Sequence, residues 1–215
     1  MSVSQMHPST APSGRFWLAS YPDGMAPEIA PLRHTSIGAL VESCCAEFAD
    51  RPAFTSMGKT LTFRDFDAAS AGVAAWLQAR GLEKGDRVAV MMPNILQNPV
   101  IIFGILRAGL VVVNVNPLYT PRELEHQLKD AGAKALFVLE NFAGTVAQVV
   151  SRTALKHVVV ATMGDMLGLK GLIVNLVVRK VKKLVPAWSL PGHVPFRQVM
   201  AEGARSTARP VSIAP

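Results

Sequence analysis

Phosphate binding is the first chemistry the sequence invites, because Gly164-Asp165-Met166-Leu167-Gly168-Leu169-Lys170-Gly171 sets a lysine close behind two glycines. A loop that cradles phosphates needs GxxxxGK followed by Ser or Thr. Its backbone N–H groups then surround the anion, its lysine reaches the charge and its hydroxyl meets the metal. Here the spacing is wrong, Gly171 stands where the hydroxyl belongs and Asp165 puts an acid inside the loop. No GxGxxG follows a strand, which argues against a dinucleotide fold of the usual type. His7, His34, His126, His157 and His193 are scattered, with no pair at metal-ligand spacing, and no GxSxG elbow marks a nucleophile. Asp65 and Asp67 open a predicted helix on different faces, and the helix dipole accounts for both. The residues alone assign no catalytic, cofactor-binding or metal-binding side chain.

A second chemistry is that of a surface. From Met166 to Ala201 there is no acid, while Lys170, Arg179, Lys180, Lys182, Lys183 and Arg197 are present. Wound at about 100° per residue, Ile173, Val174, Val177, Val178, Val181, Leu184 and Val185 share one face. Asn175, Arg179, Lys180, Lys182 and Lys183 take the other, together with Leu172 and Leu176. A basic amphipathic segment over 171–185 suits an anionic membrane surface. Its contacts would be Ile173, Val174, Val177, Val178, Arg179, Lys180, Val181, Lys182 and Lys183. The alternatives are a helix packed on the domain with a solvated basic face and, since β-branched residues favour it, a strand. Nucleic acid is not expected, because interleaved aromatics are missing.

The net charge of +7 is concentrated in the same region. Residues 1–160 carry 14 basic and 13 acidic side chains, and residues 161–215 carry 8 and 2. The chain is a nearly neutral body with a local basic feature. Half of it is hydrophobic, enough for a sizeable core. Cys44 and Cys45 are adjacent, so they do not staple distant segments; they read as two thiols on a partly buried helix in a reducing compartment. The first residues lack an apolar core of signal-peptide length, and the stretch Pro99 to Val115 is broken by Arg107 and Gly109. The expectation is a cytoplasmic protein, with peripheral contact to the inner membrane face left open.

Stepping along the chain, residues 1–34 are proline-containing and aperiodic, an extended arm. Ser36 is a cap for a helix to Ala49. Short strands at Ala53 to Ser56 and Lys59 to Thr62 are joined hairpin-fashion by Met57-Gly58. Thr62 caps a helix to Arg80 with Gly81 as its stop, and Arg87 to Met92 is a strand. The next helix starts at Asn98-Pro99 or at Pro93-Asn94 and ends at Gly109. Leu110 to Val115 has the composition of a strand covered on both faces. Thr120-Pro121-Arg122-Glu123 is a capping box for a helix to Ala131, stopped by Gly132. A strand at Ala135 to Leu139, a helix over 142–151 and a strand at His157 to Ala161 complete the pattern. Strands alternating with helices predict an α/β fold, a mostly parallel sheet flanked by helices.

Two stretches carry a family resemblance. Leu61-Thr62-Phe63-Arg64-Asp65-Phe66, and Leu106-Arg107-Ala108-Gly109 leading into Val113-Asn114-Val115-Asn116-Pro117, resemble the first two core motifs of acyl-adenylate-forming enzymes. The wording of Pro93 to Leu128 is similar to that of bacterial long-chain fatty acid–CoA ligases. Gly171 to Arg197, with Lys182-Lys183-Leu184-Val185-Pro186 and Pro195-Phe196-Arg197-Gln198, resembles the insert those enzymes carry before their phosphate loop.

The resemblance implies an incomplete N-terminal subdomain over 35–215. In the whole family the reaction uses ATP, magnesium and coenzyme A to turn a fatty acid into its acyl-CoA through an acyl-adenylate. The phosphate loop, ribose-binding aspartate and catalytic lysine that the family uses do not occur in these 215 residues. The expectation is therefore an N-terminal fragment of a ligase, binding no cofactor and inactive alone. A full-length ligase or a complementary fragment would be its partner. The alternative is a non-catalytic membrane-surface or protein-interaction module.

Overall fold

A computed structural model describes residues 14–213, in two units divided between Arg33 and His34. In the first unit Phe16–Ser20 makes a 3-10 turn and Arg15 pairs with Glu28. The start of the predicted arm, with His7, lies outside the described residues.

The second unit opens with α1 (Ile37–Glu47), whose first turn is capped by Ser36 Oγ accepting from the Ala39 N–H at 3.1 Å. β1 (Pro52–Ser56) and β2 (Lys59–Thr62) pair as an antiparallel hairpin. Its turn residues Met57 and Gly58 have φ of 50° and 75°, the left-handed pair whose twist matches the strands. α2 (Phe63–Ala79) follows at once, and Thr62 and Asp65 exchange hydrogen bonds in a capping box. Thr120 and Glu123 do the same for α4 (Pro121–Ala131), which Gly132 closes in the left-handed conformation.

The main sheet has five parallel strands, β3 (Arg87–Met91), β4 (Val111–Asn114), β5 (Ala135–Leu139), β6 (His157–Ala161) and β7 (Val194–Pro195), in the order β4-β3-β5-β6-β7. α3 (Gln97–Arg107) joins β3 to β4, α4 joins β4 to β5, and α5 (Ala143–Ala147) lies between β5 and β6. The chain runs outward from β3 to β4 and then returns across β3 to β5. Right-handed crossovers therefore put α3 and α4 on opposite faces. The packing agrees. Val88, Val90, Phe137 and Val159 meet α2, α3 and α7 (Phe196–Gly203), while Ala89, Leu136, Val138 and Val160 meet α4 and α5. A central strand covered on both faces must be apolar throughout, and all five residues of β5 are buried.

Three expectations need correction. Leu110 to Val115 does hold a strand, but β4 is the edge of the sheet and Val111 is 45% exposed. Its composition identifies a parallel strand, whereas its place depends on sheet order, which one segment does not encode. α3 starts at Gln97, so Pro99 lies in the first turn, where its missing N–H has no intrahelical acceptor to lose. The helix expected over 142–151 shrinks to α5, flanked by 3-10 turns at Glu140–Phe142 and Val150–Arg152.

The capping carboxylates give the fold a signed acid response. The Thr62 N–H holds the Asp65 carboxyl below its ordinary range, and the Thr120 N–H does the same for Glu123. Hydrogen bonds from Arg152 and Lys129 lower Glu125 to about 2. A carboxyl whose folded pKa is depressed stabilises fully above its unfolded value and loses that stabilisation as pH falls through the folded one. The melting temperature is therefore expected to drop as pH falls from about 4.5 to about 2. A melting temperature flat across that window would contradict the role given to these carboxylates.

Candidate functional site at the carboxyl edge of the sheet

In a doubly wound sheet, ligands enter beyond the carboxyl ends of the strands, where the strand order reverses. Here that point lies between β3 and β5. It is followed along the same edge by the ends of β6 and β7, above a cavity of about 390 Å³ lined by Thr162, Asp165, Asn175, Arg179, Lys180 and Arg197 among others.

Thr162 is the hub of this edge. Its carbonyl accepts from the buried Gln97 Nε2 of α3 at 2.8 Å. Its N–H and Oγ donate to the two oxygens of Asp165, each at 2.7 Å. Its Oγ also accepts from Asn175 Nδ2 at 2.9 Å, and Asn175 Oδ1 takes the Gly164 N–H at 2.7 Å. Arg197 of α7 closes on Asp165 through Nε at 2.8 Å. The turn Thr162–Asp165 is thereby tied to three helices, because buried polar atoms must find partners.

A second buried acid stands at the end of β5. Glu140 is 1% exposed on its side chain, and its Oε2 accepts from Arg179 Nε and Nη2 at 2.8 and 2.6 Å. Its Oε1 has no partner. Arg179→Ala would strand this carboxylate in the interior, an expected loss of about 3 kcal/mol. Glu140→Gln leaves a half-exposed guanidinium that water rehydrates, so its expected cost is about 1 kcal/mol. Urea unfolding of both variants checks the order; a larger loss for Glu140→Gln contradicts it.

The glycine-rich stretch Gly164–Gly171 is used for packing. A Cβ on Gly171 would sit 2.0 Å from the Gly164 oxygen, so the two backbones touch where no side chain fits. Lys170 Nζ donates to the Met57 carbonyl at 2.7 Å, holding the hairpin turn. With Arg179 and Arg197 each engaged by a buried acid, these residues do not fit a triphosphate. Among the described residues, no three His, Cys, Asp or Glu side chains gather to hold a metal ion.

The basic segment is helical, but its faces are rotated from the expected ones. α6 (Lys170–Leu176) continues into a π-helical turn at Val177–Val181, and Lys183, with φ of 50°, ends it. Gly171, Val174, Asn175 and Val178 turn inward, while Leu172, Ile173, Leu176, Lys180 and Val181 are exposed. Val174 and Val178, read as membrane contacts, thus pack on the domain, and Asn175, read as polar surface, is buried. Val177 is half-buried, whereas Ile173, Val181, Arg179, Lys180, Lys182 and Lys183 are exposed as expected. The cause is local: the Gly164–Gly171 approach and the satisfied Asn175 fix the rotation, and hydrophobicity alone does not see either. Among the described residues no helix is long and apolar enough to cross a membrane.

Asp67 also needs a different account. It pairs with Arg107, whose side chain is 7% exposed, and Arg107 Nη1 donates to the Asp67 carbonyl at 3.1 Å, so α2 and α3 are bolted together. Burial pushes the Cys45 thiol up, and Asp67 adds to the effect. No local motif marks this pair, since its members are 40 residues apart.

Residues 41–187 match the family model described as AMP-binding enzyme. A long-chain-fatty-acid–CoA ligase of Escherichia coli O6:H1 is 52% identical over 193 residues, 89% of this chain and 34% of that protein. The enzyme of the same name from Haemophilus influenzae is 49% identical over 199 residues, 91% of this chain and 35% of that protein. Among solved structures, Mycobacterium smegmatis MbtA superposes with a TM-score of 0.67 at 21% identity, over 85% of this chain and 30% of that one, which is a likeness of fold. The chain spans about a third of the length of the curated relatives it matches.

Proposed function

Because the chain belongs to the AMP-binding enzyme family, we propose that it supplies the N-terminal scaffold of a long-chain fatty acid–CoA ligase. The whole ligase would join a fatty acid to coenzyme A through an acyl-adenylate, using ATP and magnesium. The observation that carries this reading is the identity of about half the residues to such ligases across 89% of the chain.

Within that reading the chain positions and does not catalyse. Its carboxyl-edge acids are neutralised internally and its Lys170 is spent on a carbonyl. Charge developing on a transferred phosphoryl group needs preorganised donors aimed at it, and these side chains are aimed elsewhere. The 215 residues alone would therefore make no acyl-adenylate. The test is palmitate-dependent ATP–pyrophosphate exchange by the isolated chain and by a chimera carrying it in place of the matching third of a relative. Activity in the chimera only is the expected pattern.

A complementary portion of a ligase is the partner this reading calls for. The outer edge of β4 supports such pairing, since β4 has a neighbour on one side only among the described strands. Unpaired backbone groups there form a template for another strand.

A further inference from the structure

From Ser206 the chain runs on as an irregular strap across the C-terminal ends of α2 and α3, and 207–213 makes no backbone–backbone hydrogen bond among the described residues. Two side chains hold it. Gln78, in the last turn of α2, spends both ends of its amide on Arg209. Its Oε1 accepts from the Arg209 N–H at 2.8 Å, and its Nε2 donates to the Arg209 carbonyl at 3.0 Å. Lys84, in the turn before β3, donates from Nζ to the Ser212 carbonyl at 2.7 Å. Between these anchors Val211 packs on Gly109, where a Cβ would stand 2.5 Å from its Cγ1. The rest of the strap is loosely seated: it lines a cavity of about 510 Å³ together with Ser36, Ala39 and Glu42.

Each of these hydrogen bonds takes a backbone atom of the strap, so the anchors read its register and not its side chains. Arg209 precedes a proline, which biases it to extended backbone. An extended residue turns its N–H and carbonyl to the same side, where one primary amide meets both as a paired strand residue would. A slip that brought Pro210 to Gln78 would forfeit a bond, because proline has no N–H to give. We propose that Gln78 and Lys84 are positioning residues: they fix the register of the strap and so the point from which the ligase polypeptide following it departs. The role rests on the scaffold reading, since in the chimera the strap is the covalent bridge to the part of the ligase that follows. A strap free to slip presents that part in its competent place for a fraction of the time, and the apparent affinity for ATP falls by that fraction. Saturating ATP selects the competent register, so turnover is retained.

Two measurements test this. In the isolated chain, Gln78→Ala should speed amide exchange at Arg209 about tenfold. In the chimera, Gln78→Ala with Lys84→Ala should raise the KM for ATP about tenfold, while kcat and the KM for palmitate stay near the parent's. Lys84→Arg should restore most of the lysine's share, since a guanidinium also donates to a carbonyl. Arg209→Ala with Ser212→Ala should match the parent, because the backbone atoms that the clamp reads are untouched. Lys84 is exposed and Gln78 half-buried; should the double variant melt below the parent, Lys84→Ala alone carries the test, with a rise of about threefold. Unchanged exchange at Arg209 overturns the clamp. An active chimera whose KM for ATP ignores the variants, or whose kcat falls instead, overturns the positioning role and leaves the scaffold reading standing. A parent chimera that makes no palmitoyl-CoA sinks the scaffold reading, and this role with it.

Discussion

Gly203→Ala is expected to destabilise the protein by about 3 kcal/mol, the upper end of what overpacking costs. A Cβ at Gly203 would sit 2.2 Å from the Gly72 carbonyl oxygen, so α2 and α7 meet backbone to backbone. No rotamer change relieves that clash, because the obstacle is main chain, and the two helices would have to separate. Separation also strains Glu202, which accepts from the Trp76 indole at 2.8 Å and from Arg80 at 2.6 Å. Gly38→Ala is the control: its nearest neighbour is 3.7 Å away, and alanine favours a helix interior by about 1 kcal/mol over glycine. Urea denaturation of the three proteins decides the matter. Equal midpoints for Gly203→Ala and the parent would mean the α2–α7 contact is looser than described.

The second large effect concerns the chimera. When this chain replaces the matching third of the Escherichia coli ligase, palmitoyl-CoA formation is expected to persist within about tenfold of the parent, a barrier change of about 1.4 kcal/mol. The two faces of the sheet are filled from within these residues, so the inserted piece brings its own core with it. The inserted piece is 52% identical over 193 residues to the ligase it enters. Introducing Gly203→Ala into the chimera should lower its melting temperature, since the α2–α7 contact is then overpacked. A chimera that folds and binds ATP yet makes no palmitoyl-CoA would contradict the assignment of this chain to that role.

Much of this fold was legible because its signals are local. Ser36, Thr62 and Thr120 cap helices by reaching N–H groups three residues on, and Gly132 ends α4 in a conformation that glycine adopts at no steric cost. The parallel sheet followed from apolar strands alternating with helices. What was hidden depends on distant partners. β7 is two residues long, too short for any periodicity, and α7 begins directly after it. The spacing of Phe196, Val199, Met200 and Gly203 was the one available sign of α7. The edge position of β4 follows from sheet order. The rotation of α6 follows from a glycine-on-glycine contact and from Asn175 meeting Thr162 and Gly164. Hydrophobic projection placed Val174 and Val178 outward because it weighs side chains and ignores where backbones touch.

Little of the candidate site was legible. The Gly164–Gly171 stretch lacks the spacing of a phosphate loop, and in the fold its two end glycines pack on each other while Lys170 donates to the Met57 carbonyl. The Thr162 hub and the Glu140–Arg179 pair join segments far apart in sequence and left no motif behind.

The decisive measurement is palmitate-dependent exchange of labelled pyrophosphate into ATP by the purified 215-residue chain, with the chimera as the positive sample. The scaffold account predicts exchange by the chimera and a signal from the chain alone that matches the enzyme-free blank. Exchange by the isolated chain, dependent on palmitate and on a protein of verified mass, would contradict it.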